Sequence, residues 1–210
     1  MLMDRIALAL TIIGGNVTGI SNADDAINCT NDMTISGGTV YAVATGTKVT
    51  SSGGGGWGAG GGGGGNKSGD GLDANGNILL SGGTVVTYGT KPPECGVDAN
   101  EEGGYTVYFT GGRLFGIGGS NSHPTNSQST QPYITTTGTA SSGSTVTLKS
   151  GSTVLATFTM PAYSYSNGNI IATAPGMTTG SSYTITLGST SKSAKAVQYG
   201  SSSSSPGGGW

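Results

Sequence analysis

Gly69–Thr90 reads GDGLDANGNILLSGGTVVTYGT. Asp70, Asp73 and Asn75, interleaved with glycine, describe a tight corner lined by carboxylates. Short polar side chains favour such corners because they bond to nearby backbone. Ile78 and Leu80 then alternate as strand residues, Gly82-Gly83 bends the chain, and Val85 opens another strand. Three other segments align with this one on their glycine pairs, Gly14-Gly15, Gly37-Gly38 and Gly111-Gly112. Two residues before the first glycine stand Ile12, Ile35, Leu80 and Phe109. Four before stand Leu10, Met33, Ile78 and Val107, and three after stand Val17, Val40, Val85 and Leu114. Every one of these columns is apolar, while the columns between them are mixed.

Alternation repeated in register is the mark of a solenoid, in which each turn buries its apolar face only against a neighbour. The expected fold is therefore all-β, a right-handed parallel β-helix. The first two glycine pairs lie 23 residues apart, a plausible turn length. The next interval is 45 residues, and its excess is a glycine-rich loop insertion at 47–68 containing GGGGWGAGGGGGG. The fourth pair follows after 29 residues, because its corner is extended at Glu101–Gly104. Residues 1–132 are assigned to the β-helix, ending in the polar connector Gly118–Pro132.

Beyond Pro132 the acidic corners stop. Val146 and Leu148, then Val154, Ala156 and Phe158, alternate around a Lys149–Ser152 turn and predict a hairpin. Tyr183, Ile185 and Leu187 alternate again. Residues 133–199 are expected to form a strand-rich cap or flank that blunts the open edges of the solenoid. The tail 200–210, GSSSSSPGGGW, reads as flexible linker.

Composition narrows the function. The chain has 210 residues, 42 of them glycine, with 9% charged and a formal net charge of −2. Such a balance gives no basic footprint for nucleic acid, and no apolar run is long enough for membrane insertion. Cys29 and Cys95 fall in different repeat columns, so two free thiols are expected. Met1–Ile13 superficially resembles an export signal, but Asp4 spoils its basic end and Leu10 and Ile12 fit the repeat. The expectation is a first turn that begins inside a longer chain, or a chain whose export signal is missing.

The chemistry lies in the corners. A parallel stack brings together Asp24, Asp25 and Asn28, then Asp70, Asp73 and Asn75, then Glu94, Asp98 and Asn100, with equivalent residues about one strand spacing, roughly 4.8 Å, apart. Carboxylates that close repel, and calcium, which takes six to eight oxygen ligands, would relieve them. The blander reading is that each side chain stabilises its own turn. His123, the sole histidine, precedes a proline in a polar loop and reads as a spectator. No zinc spacing, nucleophile elbow or phosphate loop occurs. A β-elimination lyase would need a basic residue beside its cation, and Lys67, Lys91 and Arg113 lie near corners, though solvated surface charge accounts for them as well. No catalysis is expected. Trp57, inside the glycine run, is either a ring packed back on the wall or a platform for a sugar.

Taken in order, the DAIN and DGLDANGN corners, the ISGGTV turn, the GIGGSNSHPTNSQS connector, the TLKSGSTVLATFTMP hairpin and APGMTTGSSYTITLG resemble a known family from about Ala23 to Leu187. It is the bacterial carbohydrate-binding β-helix family, with a polysaccharide-lyase-like fold, found on clostridial cell surfaces. The resemblance implies a secreted or cell-surface protein that binds plant-type polysaccharide and holds calcium at positions matching Asp25, Asn28, Asp70, Asp73 and Asp98. Cys95 departs from the aspartate of that pattern. The first expectation is thus a non-catalytic, calcium-dependent polysaccharide-binding module in which Trp57, Tyr88 and Tyr108 stack on sugars. The alternative is a self-assembling extracellular fibre or matrix subunit, a homo-oligomer or filament, with a lyase third.

Overall fold

The computed structural model describes residues 9–46 and 68–200. The stretch 47–67 of the expected insertion, Trp57 within it, residues 1–8 and residues 201–210 lie outside the described residues.

The aligned columns are real strand partners. β1 (Leu10–Ile12) and β2 (Asn16–Ser21) both pair in parallel with β4 (Met33–Ala44), placing Ile12 beside Ile35 and Val17 beside Val40. β4 pairs in parallel with β6 (Ile78–Tyr88), setting Ile35 on Leu80 and Val40 on Val85. β6 in turn pairs with β8 (Val107–Phe109) and β9 (Arg113–Gly118), setting Leu80 on Phe109 and Val85 on Leu114. A shorter parallel sheet, β3 (Ile27–Cys29), β5 (Leu72–Ala74) and β7 (Val97–Ala99), runs along the corners. Ile35, Leu80 and Phe109 share one buried interior with Leu72, Val97 and Ala99 from that sheet.

Close stacking at the bends explains the glycine pairs. Gly38 and Gly83 have φ of 83° and 75°, a left-handed conformation that disfavours side chains. A Cβ on Gly82 would also overlap the carbonyl oxygen of Ser36 in the preceding turn.

The expectation of a right-handed parallel β-helix is overturned by the strands that follow β9. There β13 (Tyr165–Thr173) pairs antiparallel with β9, and β10 (Tyr133–Ala140) pairs antiparallel with β13, in the same sheet. The largest sheet is therefore mixed, in the order β1-β4-β6-β9-β13-β10. The molecule is all-β, combining this mixed sheet, the short parallel sheet and a separate antiparallel one. Physically, the apolar columns fix which residues stack but not how many turns follow. No aspartate or glutamate follows Glu102, so the acidic corner that begins a new turn is absent, and the chain returns antiparallel.

The antiparallel sheet has the order β12 (Thr153–Thr159), β11 (Thr145–Ser150), β14 (Ser182–Leu187), β15 (Thr190–Lys195). The hairpin read from sequence is β11–β12, with Val146 on Phe158 and Leu148 on Ala156. A register shift after Leu148 moves Val154 off the buried face, so it is exposed although Ala156 and Phe158 are buried. Phe158, Leu148 and Ile185 join Phe115, Ile117 and Ile170 of the mixed sheet in a second core cluster.

Candidate functional site

Two concave features lie side by side, divided by the segments around Pro92–Pro93 and Gly119–Ser120.

The first is a recess of about 300 Å³ where the corners end. Its foundation is a ladder of side-chain caps. Asp25 Oδ1 accepts the backbone N–H of Asp70 at 2.9 Å, and Asp70 Oδ1 accepts the backbone N–H of Cys95. Each aspartate therefore seats the equivalent residue of the following turn. Beside this ladder stands the register column Asn28–Asp73–Asp98. The Asn28 amide donates to Asp25 Oδ2 at 2.8 Å and to Asp73 Oδ2 at 2.6 Å. Asp25, Asn28 and Asp73 are thus largely satisfied by one another.

The far end differs. One ligand atom each from Asp70, Cys95 and Asp98 lies within 4.8 Å of the others. Among the described residues five carboxylates line the recess, Asp70, Glu94, Asp98, Glu101 and Glu102, and no lysine, arginine or histidine does. Asp70 is only 8% exposed. Burial first, then the charges of Asp98, Glu94 and Asp25, push its carboxyl up to about 7 against the opposing pull of the Cys95 N–H. Asp73 rises to about 7 through burial and then the charges of Asp25 and Asp98. Asp98 is raised by burial, with Glu102 and Glu101 adding to it and the Ser122 hydroxyl, which donates at 3.2 Å, opposing it. Burial also raises the Cys95 thiol, which stays protonated at neutral pH.

The donor set suits a hard cation held by carboxylate oxygens, with the protonated thiol as a neighbour. The five residues expected to bind calcium are placed in two groups. Asp70 and Asp98 meet in the recess, whereas Asp25, Asn28 and Asp73 are engaged in the hydrogen bonds above. Glu101 and Glu102, on the 3₁₀ turn Glu101–Gly103, and Ser122 join the lining without having been singled out. The signal was there in the extended fourth corner, which adds two acids beside Asp98.

The second feature is a groove of about 770 Å³. One wall is the end of β6 and the segment Gly89–Pro92, and the other is Tyr163–Asn169. Tyr165 Oη donates to the Thr90 carbonyl at 2.6 Å and ties the walls together. Tyr163 is 39% exposed at the rim. Asn167 takes a left-handed φ of 53°, with its N–H donating to Thr139 Oγ1 at 3.2 Å. A non-glycine residue so placed is uncommon and clusters at binding sites. Among the described residues Lys91 is the only charged one in the lining.

The aromatic residues expected to stack on sugars are placed differently. Tyr88 is 2% exposed, its ring edge-on to Tyr165 at 6.5 Å and its hydroxyl on Met160 Sδ at 3.1 Å. The expectation that it is an exposed platform is corrected: Tyr88 shares with Val86 the face of β6 opposite Val85, the antiparallel sheet covers that face, and the ring packs in the core beneath the groove. Tyr108 is half-buried on β8, away from the groove. Of the basic residues weighed for a lyase, Lys91 lines the groove, Arg113 Nε donates to the Leu155 carbonyl at 3.4 Å, and Lys67 lies outside the described residues. Cys29 is buried and Cys95 half-buried, and both are free.

Among the described residues no helix is long and apolar enough to cross a membrane. No family model, no curated protein and no solved structure matches the chain.

Proposed function

We propose that the chain is a non-catalytic polysaccharide-binding module and that the groove between Gly89–Pro92 and Tyr163–Asn169 receives the sugar chain. The carrying observation is the lining itself: Tyr163 and Tyr165 with Asn167, Asn169, Ser164, Ser166 and Thr90, and a single charge among the described residues. Aromatic faces pack on the apolar faces of pyranose rings, while amides and hydroxyls meet their equatorial hydroxyls. Among the described residues no carboxylate or histidine lines the groove, and the reading is retention, not hydrolysis.

Charge favours a neutral glycan. The adjoining recess carries five carboxylates, which repel a uronate polymer unless a cation intervenes. In this reading Asp70 and Asp98, with the neighbouring glutamates, hold calcium when it is bound. The cation would neutralise the recess and fix the Pro92–Cys95 segment that borders the groove. A secreted or cell-surface location accords with this role.

A glycan array probed with and without calcium tests the reading, followed by retention of wild type and Tyr163→Ala on the best ligand. Retention of a neutral glucan, weakened about tenfold or more in the variant, supports it. Absence of retention on every glycan refutes it, as does a Tyr163→Ala variant retained like wild type.

A further inference from the structure

The polar residues of the groove are not equally open to a ligand. Asn169 is tied into the fold: its Nδ2 donates to the Gly119 carbonyl, and its own backbone carbonyl accepts Asn121 Nδ2 at 2.9 Å. Ser164 Oγ accepts the Ser142 N–H at 2.9 Å, Thr90 Oγ1 accepts the Gly69 N–H at 3.1 Å, and Tyr165 Oη donates to the Thr90 carbonyl. Asn167 is different. It is exposed, and among the described residues its carboxamide has no hydrogen-bond partner. Of the open side chains in the lining, it alone sets a donor and an acceptor side by side on separate atoms.

The backbone gives an independent indication. Between the pairs Gly138–Gly168 and Ala140–Tyr165, β10 has Thr139 alone, while β13 has both Ser166 and Asn167. Such a bulge re-aims side chains and is common beside binding sites. Asn167 has φ of 53° there, whereas every other positive φ among the described residues belongs to a glycine. Glycine takes that conformation without steric cost, so it is the residue that the backbone alone would select. The adjoining Gly168 is explained by packing, since a Cβ there would overlap the Tyr165 ring and Ile117. No contact of that kind explains a side chain at 167. Asparagine is among the few other residues that tolerate the left-handed region, so a polar group can be held at this bulge at small cost.

We propose that Asn167 is the specificity-determining contact of the groove, its carboxamide bridging two adjacent hydroxyls of one sugar unit. The inference rests on the groove being the glycan site. Oδ1 accepts from one hydroxyl and Nδ2 donates to its neighbour, so the contact requires a vicinal diol and is lost when those hydroxyls are blocked. The exposed ring of Tyr163 offers area to any pyranose, and Asn167 supplies the discrimination. A site built to hydrogen-bond its ligand rejects an analogue without the partner group far more strongly than an apolar surface does. The pairing of the bulge to Thr139 holds the backbone of Asn167 in place before the ligand arrives, which limits the ordering that binding requires.

Wild type, Asn167→Gly and Asn167→Asp are compared on one array of neutral and acidic polysaccharides, each in native and O-methylated form, and in urea unfolding. On the glycan that retains wild type, both variants should be weakened about tenfold or more. The preference of wild type for the native over the methylated form should shrink in both. Asn167→Gly should unfold at the same urea concentration as wild type or a higher one, because glycine suits the backbone better. Aspartate tolerates the same backbone and keeps the acceptor but lacks the donor, so its loss of retention separates hydrogen bonding from conformation. An Asn167→Gly variant retained like wild type overturns the inference and leaves the groove as the glycan site. A clear fall in its urea midpoint also overturns it, since the side chain would then be supporting the fold. Retention of wild type on no glycan refutes the groove reading, and the role of Asn167 with it.

Discussion

Replacing Asp70 by asparagine should make the protein more stable at alkaline pH, although it removes a buried carboxylate. Asp70 has two duties. It caps the Cys95 N–H, and it carries charge into a recess already crowded with Glu94, Asp98 and Asp25. Asparagine keeps an acceptor oxygen for the N–H and discards the charge. The carboxyl sits at about 7 in the folded chain against an ordinary value of 3.8. A group raised on folding contributes most at low pH, and that contribution is lost as pH climbs from its unfolded value through its folded one. Below about pH 4 both states are protonated and wild type and variant should match. Between about pH 4 and 7 the wild type should lose ground with rising pH, and above that the gap is constant. Each pKa unit corresponds to about 1.4 kcal/mol, so a wholly buried group would open a gap of about 4 kcal/mol. The recess opens to solvent, which screens the charges, and about 2 kcal/mol is the figure to expect. Urea unfolding at pH 4 and pH 8 in chelator measures it. Calcium added at pH 8 should raise the wild-type midpoint and leave the variant nearly unmoved, because a ligand confers stability only where it binds. If Asp70→Asn is the less stable protein at pH 8 in chelator, the carboxylate is a net stabiliser and the electrostatic reasoning is wrong.

Other consequences are simpler to check. Gly82→Ala sets a methyl against the Ser36 carbonyl and should cost about 2 kcal/mol or more in urea unfolding, whereas Gly14→Ala should cost nothing within error. Phe109→Ala removes the largest ring of the Ile12–Ile35–Leu80 column and should lose about 3–5 kcal/mol, read from the same transition. Both thiols, raised by burial, should react slowly with a disulfide reagent at pH 8 and immediately once unfolded. Fast reaction of both in the native protein would contradict their placement.

The repeat columns were legible because glycine pairs mark every bend and a strand's side-chain period of two puts Ile35, Leu80 and Phe109 on one face. That signal ends with Leu114. Nothing in it says that β13 will close the sheet antiparallel, since the choice depends on the long-range fit of Ile170–Ala172 against Phe115–Ile117. Local pattern also fails where one residue is inserted: Val154 has the parity of the core but sits beyond a register shift. The acidic corner was legible as a cluster, but its division into a self-satisfied half and a charged half depends on where the Asn28 amide points. The groove was missed because its upper wall, Tyr163–Asn169, lies in the non-repeating half. The run YSYSNGN could have drawn notice, since alternating tyrosine, serine and asparagine offer rings and hydrogen-bonding groups together.

Whether sugar enters this groove is read most directly by backbone amide resonances titrated with a soluble neutral oligosaccharide. Shifts should concentrate at Thr90, Lys91 and Tyr163–Asn169 and saturate together. Resonances that stay put there, or that move instead around Tyr108, would contradict the assignment.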